Sequence, residues 1–148
     1  NCKQIEHLKM IQDVITRMAS NSFSLKGWAV TLVAAIFALT WTNVSRGFLL
    51  IALIPIFAFW ALDAYYLNLE RKNRKLYDKV RKMDEAEIDF SMDASLPELQ
   101  DQTTCYWSCF WSNTEKKFYL PLLAVVIIPP LVTAFPYIMN ALGFVPKA

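Results

Sequence analysis

Seven basic side chains fall within a stretch of twelve residues: Arg71, Lys72, Arg74, Lys75, Lys79, Arg81 and Lys82. On a helix, Lys72, Lys75, Lys79 and Lys82 follow three- and four-residue steps and share one face, with the arginines beside it. Such a face holds anions. In the plainer reading these are acidic lipid headgroups. Multiplied by symmetry in an oligomer, the same face would suit the phosphates of a nucleotide or oligonucleotide, and Tyr77 and Phe90 would add stacking. A second candidate is Asp63, an acid within a long apolar stretch, where ionisable groups are costly and face partners or water, which makes it a candidate for a pore wall. It lies near the end of that stretch, so interfacial solvation is the equal alternative. The third is a small and hydroxylated stripe, Thr31, Ala35, Ala38 and Thr42, on one helical face. Small faces let membrane helices approach closely; in a ring of copies the stripe would line a water-filled path.

Catalytic chemistry has little to work with. The three glycines form no phosphate-cradling loop, and no Walker or dinucleotide pattern occurs. No residue is cast as catalytic, and an enzyme is the class least expected. Cys105 and Cys109, four apart, would share a helical face, but the one histidine, His7, is distant in sequence. No metal site and no cofactor are therefore expected. Packing within an aromatic cluster is the expected role of these thiols, with S-acylation as the alternative.

The elements that must position these groups are set by an uneven distribution of charge. Hydrophobic residues make up 55% of the 148 and charged ones 19%, with a net charge of +2. A globular chain averages about 45–50% apolar and about 25% charged. Residues 1–26 are charged and amphipathic, not a signal-peptide pattern; Ile5, Leu8, Ile11, Ile15 and Met18 repeat at helical spacing. They read as a cytoplasmic helix lying on the membrane or docked on the bundle, and as a possible mobile gate over the basic face. Residues 27–45 carry no charge and are bracketed by Trp28 and Trp41, as a membrane span of about 20 residues should be. After the short polar turn 42–47, residues 48–69 form a second span with Pro55 inside it. The two spans make a hairpin within 27–69.

Lys26 and the basic run flank that hairpin, whereas its turn holds only Arg46. The positive-inside rule puts residues 1–26 and the basic run in the cytoplasm. The second helix is expected to run on to residue 84, about 57 Å in all. Leu62, Leu69, Leu76 and Met83 recur every seven residues, and Asn73 offers a polar position that would fix register in an oligomer. Residues 70–117 then form a cytoplasmic helical region ending in an interfacial aromatic segment around Trp107 and Trp111. The third hydrophobic segment, 118–146, is punctuated by Pro121, Pro129, Pro130 and Pro136. A kinked span is preferred there to a re-entrant segment broken at Pro129-Pro130.

Several runs also resemble a known group. They are 6–15, EHLKMIQDVI; Ser22-Phe23; 26–31, KGWAVT; and 59–66, FWALDAYY, leading to Arg74-Lys75-Leu76-Tyr77. These are similar to small bacterial membrane proteins of anti-phage loci, often encoded beside a nucleotidyltransferase. They are similar to the transmembrane effector of Hailong systems and, more loosely, to the two-transmembrane SLATT-type effectors. The resemblance covers residues 6–82 and implies a homo-oligomeric ion channel in the bacterial inner membrane. It also implies regulation by a nucleotide or oligonucleotide made by the nucleotidyltransferase.

The expectation is thus an all-α integral membrane protein with three hydrophobic segments, whose partners are the lipid bilayer, further copies of itself and an anionic nucleotide ligand. A non-conducting anchor that recruits a cytoplasmic partner through residues 70–101 is the alternative.

Overall fold

The computed structural model describes residues 2–41 and 46–141, and every regular element among them is helical. Helix α1 is Cys2–Trp41; a 3-10 segment, Arg46–Ala52, leads into α2, Leu53–Val80. Three single 3-10 turns follow, at Glu85–Glu87, Pro97–Leu99 and Gln102–Thr104. The short α3, Tyr106–Phe110, precedes α4, Asn113–Ala141. Helices α1, α2 and α4 are each long and apolar enough to cross a bilayer.

The amphipathic segment and the first span are one helix, about 60 Å long. No proline falls within α1, and its one glycine, Gly27, costs only about 1 kcal/mol relative to alanine. An element held by one unbroken helix is no separate gate, and Gln4 Nε2 ties its start down by donating to the carbonyls of Val80 and Met83 at 3.1 and 2.9 Å.

Helix α2 is shorter than its sequence pattern implies, because its first two turns are wound as a 3-10 helix and it ends at Val80. Pro55 falls in its first α-helical turn, directly after the change from the 3-10 segment. Helix α4 passes through Pro129 and Pro130 as a single helix instead of splitting into two halves. There the Thr133 hydroxyl donates to the carbonyls of both prolines, at 3.1 and 3.0 Å. The turn 42–45 and residues 142–148 lie outside the described residues.

Helices α1 and α2 are antiparallel: Gln4 meets the end of α2, Ser22 and Lys26 meet Asp63, and Ala29 and Val33 pack with Ile56 and Leu49. At the turn end α4 joins them through Tyr119 and Val126, enclosing a core centred on Trp60. That indole stacks on Phe110 at 4.6 Å and on Tyr119 at 5.4 Å, and its Nε1 donates to the Phe110 carbonyl at 3.1 Å. At the other end the third layer is residues 84–104, whose Leu99, with Leu96 and Met92, closes a core of Ile11, Ile15, Leu76 and Val80.

The seven-residue seam is therefore largely spent inside the protomer. Leu76 and Val80 are buried against α1, Asn73 is buried with its Nδ2 donating to Leu69 O at 2.8 Å, and Leu62 is exposed.

Candidate functional site

Two charged features occupy the boundary between these cores and the region just beyond it. The first is a junction to which each long helix contributes one ionisable side chain: Lys26 from α1, Asp63 from α2 and Glu115 from α4. Lys26 Nζ bridges the two carboxylates, pairing with Asp63 and reaching Glu115 Oε1 at 3.2 Å. Asp63 also accepts from Ser22 Oγ at 2.5 Å and from Tyr119 OH at 3.1 Å. Both carboxylates are buried, at 0% and 1% exposure. Glu115 Oε2 is buried without a hydrogen-bond partner among the described residues.

A buried charge is tolerated only when paired, and removing one partner of such a set leaves an uncompensated ion. The junction therefore locks three helices in register at one level, one ammonium serving two acids. Asp63, assigned from sequence to a pore wall or to interfacial water, is instead enclosed within the protomer.

The second feature is the basic face of α2, and it is covered. Residues 84–104 fold back along it as a strap. Lys75 pairs with Asp101, and Lys79 with Glu98 at 2.8 Å. Arg71 Nη1 donates to Thr103 O at 2.9 Å, and Asn68 Nδ2 donates to Thr104 O. Arg74 pairs with Glu70 at 2.7 Å within α2, and Arg81, just past its end, pairs with Asp78 at 3.4 Å. Lys72 and Lys82 have no acidic partner among the described residues. A cleft of about 530 Å³ opens between Lys75, Lys79, Lys82, Met83, Glu98 and Leu99.

The lysine contacts leave their mark on the acids. Hydrogen bonding to Lys79 holds Glu98 below the usual carboxylate range, and Asp101 is held well below it by Lys75 and then Thr103. Asp101 also caps its 3-10 turn, accepting from the N–H groups of Thr103 and Thr104.

The structure thus brings Lys75, Lys79 and Lys82 to one cleft, while Lys72 lines a second with Val14 and Met18 of α1 and Arg74 a third with Gln12 and Ile15, and it gives most of the basic residues partners. Tyr77 packs beside the core of Ile11, Ile15, Leu76 and Val80 (the lower core) and Phe90 against His7, at 5.5 Å between rings, so neither forms a stacking platform over the lysines. Thr31, Ala35 and Ala38 lie exposed on α1, uncovered by any other helix of the protomer, while Thr42 falls outside the described residues. His7 is buried, with Nε2 2.9 Å from Ser91 O. Cys105 is exposed and Cys109 buried, so the pair does not share an accessible face. Among the described residues no group of His, Cys, Asp and Glu could hold a metal.

Sequence reasoning passed over Lys26 and Glu115 as flanking charges. The available signal was that each of three apolar runs has an ionisable residue at one end. No known family model matches the chain, and neither the curated proteins nor the solved structures give a match.

Proposed function

We propose that the chain is a homo-oligomeric pore of the bacterial inner membrane, an anti-phage effector like the group it resembles, gated by a nucleotide or oligonucleotide. One observation carries this reading: α2 bears both an apolar span and a basic face, with the charged junction between them. A polyanion bound on residues 71–82 would therefore act on the same rigid helix that crosses the bilayer. Only a ligand with different affinities for closed and open forms shifts gating, and the junction is the element positioned to differ between them.

The membrane boundary in this reading lies at the level of Asp63 and not at residue 69. The 3-10 segment rises about 2.0 Å per residue and the α-helix about 1.5 Å, so Arg46 to Asp63 spans about 30 Å, the thickness of the hydrocarbon core. Ile54, Leu131, Val132 and Phe135 are exposed beyond that level and would face lipid or a neighbouring copy. The uncovered ridge of Gly27, Thr31, Ala35 and Ala38 is where a second α1 would approach most closely, because a Cβ built at Gly27 would meet no atom within 4 Å. Lys26 and the basic face lie on the same side of the two apolar spans, and the positive-inside rule supports assigning that side, with the N-terminus, to the cytoplasm.

The decisive experiment is ion flux from liposomes holding the purified protein, with and without an oligonucleotide. Flux that depends on the oligonucleotide is expected. Tight vesicles under both conditions would favour the second reading, a non-conducting anchor that binds a cytoplasmic partner. That reading draws on the pairing of the basic face with the protein's own acids.

A further inference from the structure

We infer that residues 84–101 are a built-in stand-in for the anionic ligand, occupying the basic face until an external polyanion replaces Glu98 and Asp101. This rests on the proposal that the face binds a phosphate-bearing ligand, and it says how that binding is regulated.

Charge composition is the first support. Residues 71–82 hold seven basic residues and one acid, whereas residues 84–101 hold seven acids and no lysine or arginine. The two segments are electrostatic complements, adjacent in sequence and folded face to face. Geometry is the second. Lys75 and Lys79 are successive positions one turn apart, about 6 Å along the axis, and each carries one carboxylate of the strap. A phosphate chain laid along the face would meet the same two ammonium groups.

The contacts are of a kind that a competitor can displace. The side chains of Glu98 and Asp101 are 75% and 49% exposed, and such pairs are weak and screened by salt. What keeps the strap in place is apolar: Leu99 is buried with Leu96 and Met92 in the lower core. A ligand would thus peel the acidic edge while the apolar edge remains as a hinge. Lys82, already without an acidic partner among the described residues and lining the same cleft, gives the incoming anion its first foothold.

Displacement also has a route to the membrane. Just past Asp101, the carbonyls of Thr103 and Thr104 are held by Arg71 and Asn68. Then comes α3, whose Phe110 stacks on Trp60, and Glu115 of the junction lies just beyond.

The test uses the full chain in nanodiscs of uncharged phosphatidylcholine, so that lipid headgroups do not compete, with a fluorescent oligothymidylate as the probe. Glu98→Gln/Asp101→Asn removes both charges yet keeps side-chain acceptors, so the Asp101 cap survives. The expected result is binding on the order of tenfold tighter in the variant. In the wild type, faster hydrogen exchange at amides 97–104 is expected once the probe is bound. Equal affinity in both proteins, or wild-type binding that leaves exchange at 97–104 unchanged, overturns the stand-in while the ligand reading survives. Binding by neither protein overturns both, and adding phosphatidylglycerol then shows whether the exposed lysines take lipid instead.

Discussion

The same two antiparallel helices run through both halves of this molecule, but they acquire different third layers. Toward the turn, α1 and α2 are joined by α4, and the outward faces are apolar: Trp28 on α1, Ile54 on α2 and Val132 on α4 are all exposed. Toward the chain start the third layer is an irregular acidic strap, and the outward faces carry ions. Both halves bury a comparable seam of aliphatic side chains. What separates them is how polar groups are satisfied. In the half near the turn, regular helices satisfy their own backbone, as a segment in lipid must. In the other half, strap carbonyls are met by Asn68 and Arg71, and strap carboxylates by lysines. Irregular backbone is admissible only where such side chains or water can satisfy it. The Lys26, Asp63 and Glu115 junction lies at the change from one regime to the other.

The comparison can be broken most sharply at that junction. Lys26→Met strands two buried carboxylates, and a loss of about 3–5 kcal/mol is expected in detergent unfolding followed by circular dichroism. The triple neutral variant Lys26→Met/Asp63→Asn/Glu115→Gln should recover most of it. A single variant as stable as the wild type would mean the charges do not lock the helices.

Next is Leu76→Ala in the half away from the turn, which opens a cavity against Ile11 and Ile15 and should cost about 2–4 kcal/mol. If the two halves unfold separately, only the transition of that half will move.

The strap responds to acid. Glu98 and Asp101 have folded-state values depressed below the ordinary carboxylate value of about 4. Their contribution is therefore complete above that pH and is lost as pH falls through the lowered values. Spin labels at Asp78 and Gln102, in a cysteine-free background, should separate as pH drops from about 6 to about 2. A constant distance would contradict the ion pairs as the outer fastening.

The smallest effect on stability is expected from Ala35→Phe. It adds bulk on an exposed face and should change protomer stability by no more than about 0.5 kcal/mol, yet weaken self-association measured by native mass spectrometry. Unchanged association would place the contact between copies elsewhere.

Helix content and the three apolar segments were legible because an uncharged run of sufficient length has few alternatives. The register between helices was not. Asp63 could be flagged from its surroundings, but its partners are 37 positions before it and 52 positions after it, and no local pattern links them. Likewise Leu69, Leu76 and Met83 signal a packing seam without saying whether the partner is α1 or another protomer. Asn73, attractive as a register-setting residue between copies, is buried inside its own hairpin. The strap was the least legible part. Residues 84–101 hold seven acids, but docking depends on Leu99 and the Asp101 cap, single residues in a segment with no periodicity.

The three-charge junction also makes the long helices unequal in what their removal leaves behind. As the chain is synthesised, Lys26 is made first and Asp63 second, and once together they form a neutral pair that Ser22 supports. Glu115 arrives last and adds a carboxylate that the pair does not need. Withdrawing α1 would strand two acids, whereas withdrawing α4 returns a balanced hairpin. Helix α4 can therefore part from the bundle without leaving an orphaned ion in the hairpin it leaves behind.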